Sequence, residues 1–372
     1  MRDTNDVSRR GVLGAVGGGL AGGVLVGSAA GESNDGDLVR VNVGYRGRNG
    51  RRAAAGRADE VHYDHPTDVL TIEVNRNALD GLRRRRDVRF VEPDVELHAI
   101  AQTTPYGIET VNATDAHAAG ETGSGADVAV IDTGIDATHP DLVDNLGEGR
   151  AFTVGVGTPL WDDANGHGTH VAGTVGAVDN DRGVVGVALD VTLHAVKVLN
   201  ATGAGLTSDI AAGIEWTADQ GYGVGNLSLG GSGSSTLREA CQYAEDQGTL
   251  LVAAAGNDGP CSDCVSAPAR YPECMAVSAT DENDDLAGFS STGPEVEIAA
   301  PGAGVYSTYY ANSYNTLSGT SMASPHVAGG AAQLVADGYA PGEARGRLTD
   351  TAEDVGLSES AGRLDVAAAL GL

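Results

Sequence analysis

The chain has 372 residues, 41% of them hydrophobic and only 4% aromatic, so it is long enough for one large domain and a smaller one. Its net charge is −28, and nearly all of the acidic excess follows residue 100, which excludes nucleic acid and anionic membranes as partners. Lys197 is the only lysine. This composition fits either a solvated acidic surface or an adaptation to molar salt, where the Debye length falls to about 3 Å; we favour the second interpretation.

Residues 1–30 are interpreted as an export signal. Paired arginines, Arg9 and Arg10, precede a weakly apolar run from Gly11 to Ala30, which is too rich in glycine for a stable membrane span. The arginine pair resembles the twin-arginine signal, and the small residues at 27–30 offer a cleavage site. We therefore expect a secreted, extracellular protein without a stable membrane anchor.

Residues 31–100 read as a small α+β domain. Alternating apolar residues predict strands at 39–45 and 69–74, a helix is predicted at 77–86, and a third strand at 90–97. The basic, glycine-rich stretch 46–57 is predicted to be a loop. A domain of this size is marginally stable alone, so we expect contact with a partner to stabilise it.

Residues 101–372 predict the main domain, of the α/β class. Apolar strands alternate with helical stretches, as is typical of a parallel sheet with helices on both faces. In such sheets the active site lies at the carboxyl ends of the strands. The five predicted strands cover 127–131, 191–199, 224–229, 249–255 and 274–279, and the helices cover 207–220, 235–247 and the stretch after His167.

Three polar residues stand where this architecture places chemistry. Asp132 follows the first apolar strand, His167 lies between two glycines, and Ser321 opens the uncharged stretch 317–334. Taken singly, the aspartate could be a turn former and the serine a helix N-cap. Together they are the parts of an acyl-transfer triad, in which serine attacks, histidine carries the proton and aspartate orients the histidine.

The sequence around each of these residues resembles a signature of the subtilisin-like serine proteases. The matching segments are Asp132-Thr133-Gly134, His167-Gly168-Thr169-His170 and Gly319-Thr320-Ser321-Met322-Ala323, in the order of that family. The resemblance extends over residues 101–372, and the chain also resembles the haloarchaeal halolysins. It implies a serine endopeptidase in which Asp132, His167 and Ser321 are catalytic. It also implies that Asn257 donates to the oxyanion; Gly-Asn-Asp-Gly is also a good turn, but the strand end and the family match favour the oxyanion role.

The same resemblance implies how substrate and metal bind. Ser228, Leu229 and Gly230 would pair with an extended peptide, and Ala254, Ala255 and Gly256 would form the facing wall of the pocket for the residue before the cut. A structural calcium ion is implied, with an acidic turn as the alternative. Its implied ligands are the side chains of Gln102, Asp141 and Asn180 and the carbonyls of Val178, Arg182 and Val184.

Four cysteines, at positions 241, 261, 264 and 274, allow three pairings in an exported protein. The sequence leaves the pairing open; a bridge from Cys274 to Cys261 or Cys264 would stiffen the pocket loop. Cys241, inside a helical pattern, is expected to be buried and free.

The resemblance also gives residues 31–100 a role as propeptide. In that family the propeptide is a folding chaperone and an intramolecular inhibitor, and the junction here predicts self-cleavage after Ile100. The expected product is a monomeric protease acting on protein and peptide substrates. Two alternative functions stay open. The first is a protease that matures one exported partner, and the second is a binding module permanently locked by its propeptide.

Overall fold

A computed structural model describes residues 38–94, 102–153, 159–358 and 360–372. The chain divides into two compact units, Met1–His98 and Ala99–Leu372. The predicted export signal and the predicted cleavage junction after Ile100 lie outside the described residues and stay predictions. No described helix is both long and apolar enough to cross a membrane.

The first unit is an α+β fold built on one antiparallel sheet. Its strands are β1 (Leu38–Tyr45), β2 (Glu60–His65), β3 (Val69–Asn75) and β4 (Val88–Pro93), in the spatial order β2-β3-β1-β4. Its helices are α1 (Gly47–Ala55) and α2 (Leu79–Arg83), the second preceded by a 3₁₀ turn at Arg76–Ala78. Apolar residues of β1 and β3, such as Val43 and Ile72, share a small core with Leu82 of α2.

The loop predicted at 46–57 is wrong, because most of it forms α1. Gly50 and Ala54 are buried on one side of this helix, while Arg48, Arg51 and Arg52 are exposed on the other. The arginine count suggested a solvated loop, but arginine and alanine are good helix formers. Small residues on the inner side let the helix approach the sheet closely.

The second unit contains a seven-stranded parallel sheet, in the spatial order β11-β10-β9-β8-β5-β7-β6. The strands are β5 (Asp127–Asp132), β6 (Arg150–Ala151), β7 (Thr192–Lys197), β8 (Val224–Leu227), β9 (Leu250–Ala254), β10 (Cys274–Thr280) and β11 (Val296–Pro301). A hairpin of β12 (Val305–Tyr309) and β13 (Ser313–Leu317) lies outside this sheet. All five predicted strands belong to the sheet, and β6 and β11 were not predicted.

The helices of the second unit are α3 (Tyr106–Thr110), α4 (Ala113–Ala119), α5 (His167–Gly176), α6 (Thr207–Asp219), α7 (Ser235–Asp246), α8 (Thr320–Ala336), α9 (Pro341–Asp350) and α10 (Val366–Leu370). A 3₁₀ turn covers Val143–Asn145. The central helices α5 and α8 carry the histidine and serine singled out from the sequence.

Both faces of the parallel sheet are buried, as the apolar strands predicted. Val128 and Val130 of β5 belong to a core that includes residues of α5 and α8. Their neighbours Ala129 and Ile131 point to the opposite face, where residues of α6 and α7 complete a second core. The α/β prediction with helices on both faces is confirmed, and the carboxyl ends of β5, β8 and β9 form one edge of the sheet.

Candidate active site

Asp132 is the last residue of β5, and its carboxylate is fully buried. Its Oδ1 accepts the N–H of Thr133 at 2.7 Å. Both of its oxygens accept the Nδ1–H of His167, at 2.8 and 2.9 Å. A fixed carboxylate on Nδ1 selects the tautomer that leaves Nε2 able to accept a proton.

His167 is the first residue of α5, and the preceding loop is tied to that helix. Gly166 has a φ of +104°, and a Cβ there would lie 2.3 Å from the ring of Tyr309, so only glycine fits. The carboxylate of Asp163 accepts the N–H and the hydroxyl of Thr169, at 3.0 and 2.6 Å. The glycines that flank this histidine therefore serve close packing at the start of the helix.

The ionisation of His167 reflects two opposed influences. Burial of the ring disfavours the imidazolium, but the charge and hydrogen bond of Asp132 outweigh burial, with a smaller contribution from Asp163. The net effect raises the pKa of His167 above its ordinary value of 6.5. The pair is thus built to stabilise a protonated histidine during a proton transfer.

Ser321 lies in the first turn of α8 and, with His167, lines a cleft of about 630 Å³. Its hydroxyl donates to the carbonyl of Ser228 at 3.2 Å, and the Ser228 hydroxyl donates to the Ser321 carbonyl at 2.7 Å. The Ser228 hydroxyl also lies 2.9 Å from that of Ser324 and accepts the side-chain amide of Asn226 at 2.9 Å. These contacts fix the backbone of the serine and leave its hydroxyl at the cleft.

Asn257 follows the carboxyl end of β9 and is exposed. Its Oδ1 accepts the N–H and the hydroxyl of Thr320, at 2.9 and 3.2 Å. An oxygen held by a main-chain donor fixes which way the amide faces. The amide nitrogen lies beside Gly319, since a Cβ added there would be 3.4 Å from it. A donor is therefore presented next to the first turn of α8.

Three of the six predicted substrate-binding residues line this cleft, whereas Ala254, Ala255 and Gly256 are not among its lining residues. Ser228, Leu229 and Gly230 line it directly. Ala254 and Ala255 are buried, and the N–H of Gly256 donates to the hydroxyl of Thr320 at 3.0 Å. Added Cβ atoms at Gly230 and Gly256 would lie 3.1 and 2.9 Å from Ser266, so both glycines face that side chain.

The residues predicted to bind calcium come together in one network. The amide nitrogen of Gln102 donates to the carbonyls of Val178 and Val184, at 2.9 and 3.3 Å. The buried carboxylate of Asp141 accepts the N–H of Val184 at 2.9 Å and the amide of Asn180 at 3.4 Å. Arg182 joins through its N–H, which donates to Asn180 Oδ1 at 3.2 Å.

This network fits a calcium ion in its donor chemistry. The two carbonyls that meet at the Gln102 amide point at one donor, and turning that amide over would add its oxygen to the set. No three histidine, cysteine or acidic side chains cluster as a metal site in the described part of the chain. That result is compatible with a shell made largely of amide and carbonyl oxygens.

The disulfide pairing, which the sequence left open, does not involve Cys274. Cys261 and Cys264 are bonded to each other, with Cα atoms 6.2 Å apart, whereas Cys241 and Cys274 are free and buried. The Cys274 thiol hydrogen-bonds to Cys241, and this contact together with burial raises the pKa of Cys274. Cys274 begins a core strand, and its side chain is buried beside Cys241. The expectation for Cys241 is met.

Residues 123–364 match the model of the subtilase family. The chain belongs to the subtilase family. An alkaline protease from Alkalihalobacillus alcalophilus is 49% identical over 273 residues, which cover 73% of this chain and 70% of that protein. Subtilisin DY from Bacillus licheniformis is 48% identical over 264 residues, which cover 69% of this chain and 94% of that protein. Subtilisin Savinase from Lederbergia lenta is 53% identical over 233 residues, which cover 62% of this chain and 84% of that protein.

This subtilase is thus a subtilisin-like serine protease acting on protein substrates, and the resemblance seen in the motifs is confirmed. Sequence reasoning missed several residues that support its site. The N–H of Thr320 donates to the side-chain oxygen of Asn257, and the side-chain amide of Asn226 donates to the Ser228 hydroxyl. Lys197 lies opposite Asp132 on the neighbouring strand. Their only sequence signal was position beside a strand end or a motif, which does not distinguish a supporting residue from a neighbour.

Proposed function

We propose that this subtilase hydrolyses peptide bonds through an acyl-enzyme at Ser321, with His167 as general base and Asp132 as its orienting partner. The observation that carries the proposal is the pair of contacts between His167 Nδ1 and the buried Asp132 carboxylate, with Ser321 in the same cleft. A buried carboxylate on Nδ1 holds the imidazole in the orientation and tautomer in which Nε2 can exchange a proton.

The proposed reaction begins when the Ser321 hydroxyl turns from the Ser228 carbonyl toward Nε2 of His167. Its oxygen bonds to the substrate carbonyl carbon while His167 takes the proton, and Asp132 stabilises the imidazolium. His167 then gives the proton to the leaving amine. A water molecule, deprotonated by the same nitrogen, releases the acid product and restores the serine.

The negative oxygen of the tetrahedral intermediate would be held by two donors. The first is the side-chain amide of Asn257, whose oxygen is engaged by Thr320. The second is the N–H of Ser321, which lies in the first helical turn, where N–H groups lack intrahelical partners. Fixed donors aimed at the developing charge lower the barrier because they need no reorganisation.

The substrate would lie extended along Ser228, Leu229 and Gly230, with main-chain hydrogen bonds supplying affinity. Ala254, Ala255 and Gly256 would bound the pocket for the side chain before the cut. Gly230 and Gly256 let the Ser266 side chain pack closely against them, since added Cβ atoms would lie 3.1 and 2.9 Å from it. Because main-chain hydrogen bonds are available to any extended peptide, we propose a broad endopeptidase rather than a protease dedicated to one partner.

A calcium ion held by Gln102, Asp141 and Asn180 and the carbonyls of Val178, Arg182 and Val184 is proposed to stabilise the fold. In an inactive Ser321→Ala background, calcium should raise the melting temperature over that in chelator. Asp141→Asn should remove most of this difference, since it deletes a charged ligand. Asp144→Asn, an exposed acid nearby, serves as the matched control and should retain it. Equal melting temperatures with calcium and chelator would reject the site.

The protein is further proposed to be made as a halophilic, secreted zymogen. Residues 1–30 would direct twin-arginine export, and residues 31–100 would act as chaperone and inhibitor until cleavage after Ile100. The acidic excess beyond residue 100 supports operation in high salt. The arginines of the first unit supply opposite charge for an acidic partner.

The deciding experiment is the intact mass of the exported protein in molar salt with calcium, for the wild type, Ser321→Ala and Ser318→Ala. Ser318 is an exposed serine three residues before the proposed nucleophile. We expect the wild type and Ser318→Ala to begin at Ala101 and Ser321→Ala to retain its propeptide. Identical maturation of all three would assign the cut to another protease. Failure of all three to mature would favour a locked binding module.

A further inference from the structure

The only lysine of the chain, Lys197, is completely buried. It is the last residue of β7, and in the parallel pairing of β5 with β7 it lies opposite Asp132. A charged amine is costly to bury unless hydrogen bonds and nearby opposite charge compensate it. A chain that otherwise lacks lysine therefore places one where burial is most costly, on the strand next to Asp132.

The ammonium group of Lys197 joins two backbone segments. Its Nζ donates to the carbonyl of Thr133 at 2.5 Å and to the carbonyl of Asp162 at 2.9 Å. Because both acceptors are main-chain carbonyls, the positive charge is not neutralised by a directly bonded carboxylate. Asp132, Asp162 and Asp163 supply the negative charge around it.

The two segments joined in this way are those that carry Asp132 and His167. Thr133 follows Asp132, and its hydroxyl accepts the N–H of Gly168 at 2.9 Å. Asp162 begins the loop that leads to α5, and its carboxylate accepts the N–H of Ala137 at 2.9 Å. One ammonium group thus fixes the spacing between the end of β5 and the start of α5.

We infer that Lys197 is a positioning residue of the catalytic site, which aligns Asp132 with His167 and uses its positive charge to oppose premature protonation of the histidine. The inference rests on the proposed roles of Asp132 and His167. The charged groups that face Lys197 are Asp132, Asp162 and Asp163, and His167 is the titratable group on the far side of Asp132. A cation there favours the carboxylate and disfavours a second cation beside it.

The test compares Lys197→Met, Lys197→Gln and Lys197→Arg in the mature enzyme. Glutamine keeps a hydrogen-bond donor without charge, methionine keeps neither, and arginine keeps the charge. We expect the acid limb of the kcat/KM profile to move to higher pH by about half a unit in both neutral variants, because His167 loses a repelling charge. Arginine should leave the limb within about 0.2 units of the wild type.

Val196→Ala is the control for a merely structural effect, because Val196 is equally buried on the same strand. It should lower stability without moving the acid limb. If Lys197→Met and Lys197→Gln also leave the limb in place and lose activity only in proportion to unfolding, the inference fails. Activity that survives in Ser321→Ala would instead contradict the proposed triad, so the two failures are distinguishable.

A second measurement needs no substitution at position 197. Because the chain has one lysine, labelling with ¹⁵N-lysine gives a single side-chain nitrogen signal. In Ser321→Ala, that signal is expected to report an ammonium group throughout the pH range of the activity profile, with its protons shielded from exchange. A neutral amine in that range would overturn the electrostatic part of the inference even if the variants did not fold.

Discussion

At the scale of single residues, the site depends on groups whose orientation is set by a second contact. Asp132 is fixed by the N–H of Thr133, and Asn257 by the N–H of Thr320. Each second contact comes from a main-chain donor, which cannot rotate away. Substitutions at the two functional side chains should therefore change rate far more than substrate affinity.

Asp132→Asn should reduce kcat/KM at neutral pH by about 10³–10⁴-fold, because an amide stabilises the wrong tautomer of His167. The acid limb should also move to lower pH, since the carboxylate that raises the pKa of His167 is gone and the neutral ring persists further into acid. Initial rates across pH measure both effects. The control is Asp136→Asn, because Asp136 is a buried acid that does not contact His167. If the acid limb of the pH profile stays in place in Asp132→Asn, a group other than His167 controls that limb.

Asn257→Ala should lower kcat by about 10²–10³-fold with little change in KM, because the lost donor acts on the oxyanion more than on the bound substrate. Asp258→Ala, at the next exposed position, should behave as the wild type. A rise in KM with kcat preserved would assign Asn257 to substrate binding.

At the scale of elements, α5 and α8 carry the histidine and serine proposed to be catalytic, and each helix also contains a buried histidine. His170 bonds through Nε2 to the carbonyl of Val305 at 3.0 Å, and His326 through Nδ1 to that of Met322 at 2.9 Å. Burial lowers the pKa of each to about 4. Both rings must then be neutral for these helices to pack.

The pKa of each histidine is about 6.5 in the unfolded chain and about 4 in the folded protein. Between these two pH values only the unfolded chain binds the protons, so the free energy of unfolding should fall as the pH drops from about 6.5 to about 4. Each histidine contributes about 3 kcal/mol over that range. Denaturant titrations of Ser321→Ala at several pH values measure the loss. Adding His326→Asn, which keeps a donor near Nδ1 but does not titrate, should reduce the slope; an unchanged slope would exclude His326 as a contributor.

The elements also show where sequence reasoning succeeds. The strands of the parallel sheet were predictable because both faces are buried, which leaves continuous apolar runs. The helix α1 was missed because it is stabilised by the inward packing of two small residues, Gly50 and Ala54. Small residues give no clear apolar periodicity. Seven other positions from Arg46 to Arg57 are glycine or arginine, and these suggested a loop.

At the scale of the whole molecule, charge is the dominant property. The net charge of −28 lies almost entirely beyond residue 100, while the basic residues concentrate in the first unit. Repulsion among like charges destabilises a compact state, and salt reduces it as the Debye length falls from about 10 Å at 0.1 M to about 3 Å at 1 M.

The melting temperature of Ser321→Ala, freed of its propeptide by added wild-type enzyme, should consequently rise as sodium chloride increases from 0.1 M to 1 M and above. A variant with Glu239→Gln, Glu245→Gln and Asp246→Asn, all exposed on α7, should melt higher at low salt and gain less from added salt. Calorimetry at fixed calcium measures both. Equal salt responses in the two proteins would show that repulsion on this face does not limit stability.

The sequence by itself predicted the chemistry and the fold that supports it. Three motifs occur in one order, each at the end of an apolar strand or the start of a helix. They predict which groups react and at which edge of the sheet these groups lie. Only the tertiary structure decided which groups support them. Thr320 reaches Asn257 across 63 positions, Lys197 reaches Thr133 across 64, and Cys261 pairs with Cys264 rather than with Cys274. The physical reason is that a strand's own pattern records burial, whereas a hydrogen-bond partner far along the chain depends on which strands become neighbours and in what register. The pairing of Cys261 with a cysteine three positions away depends instead on how their loop folds.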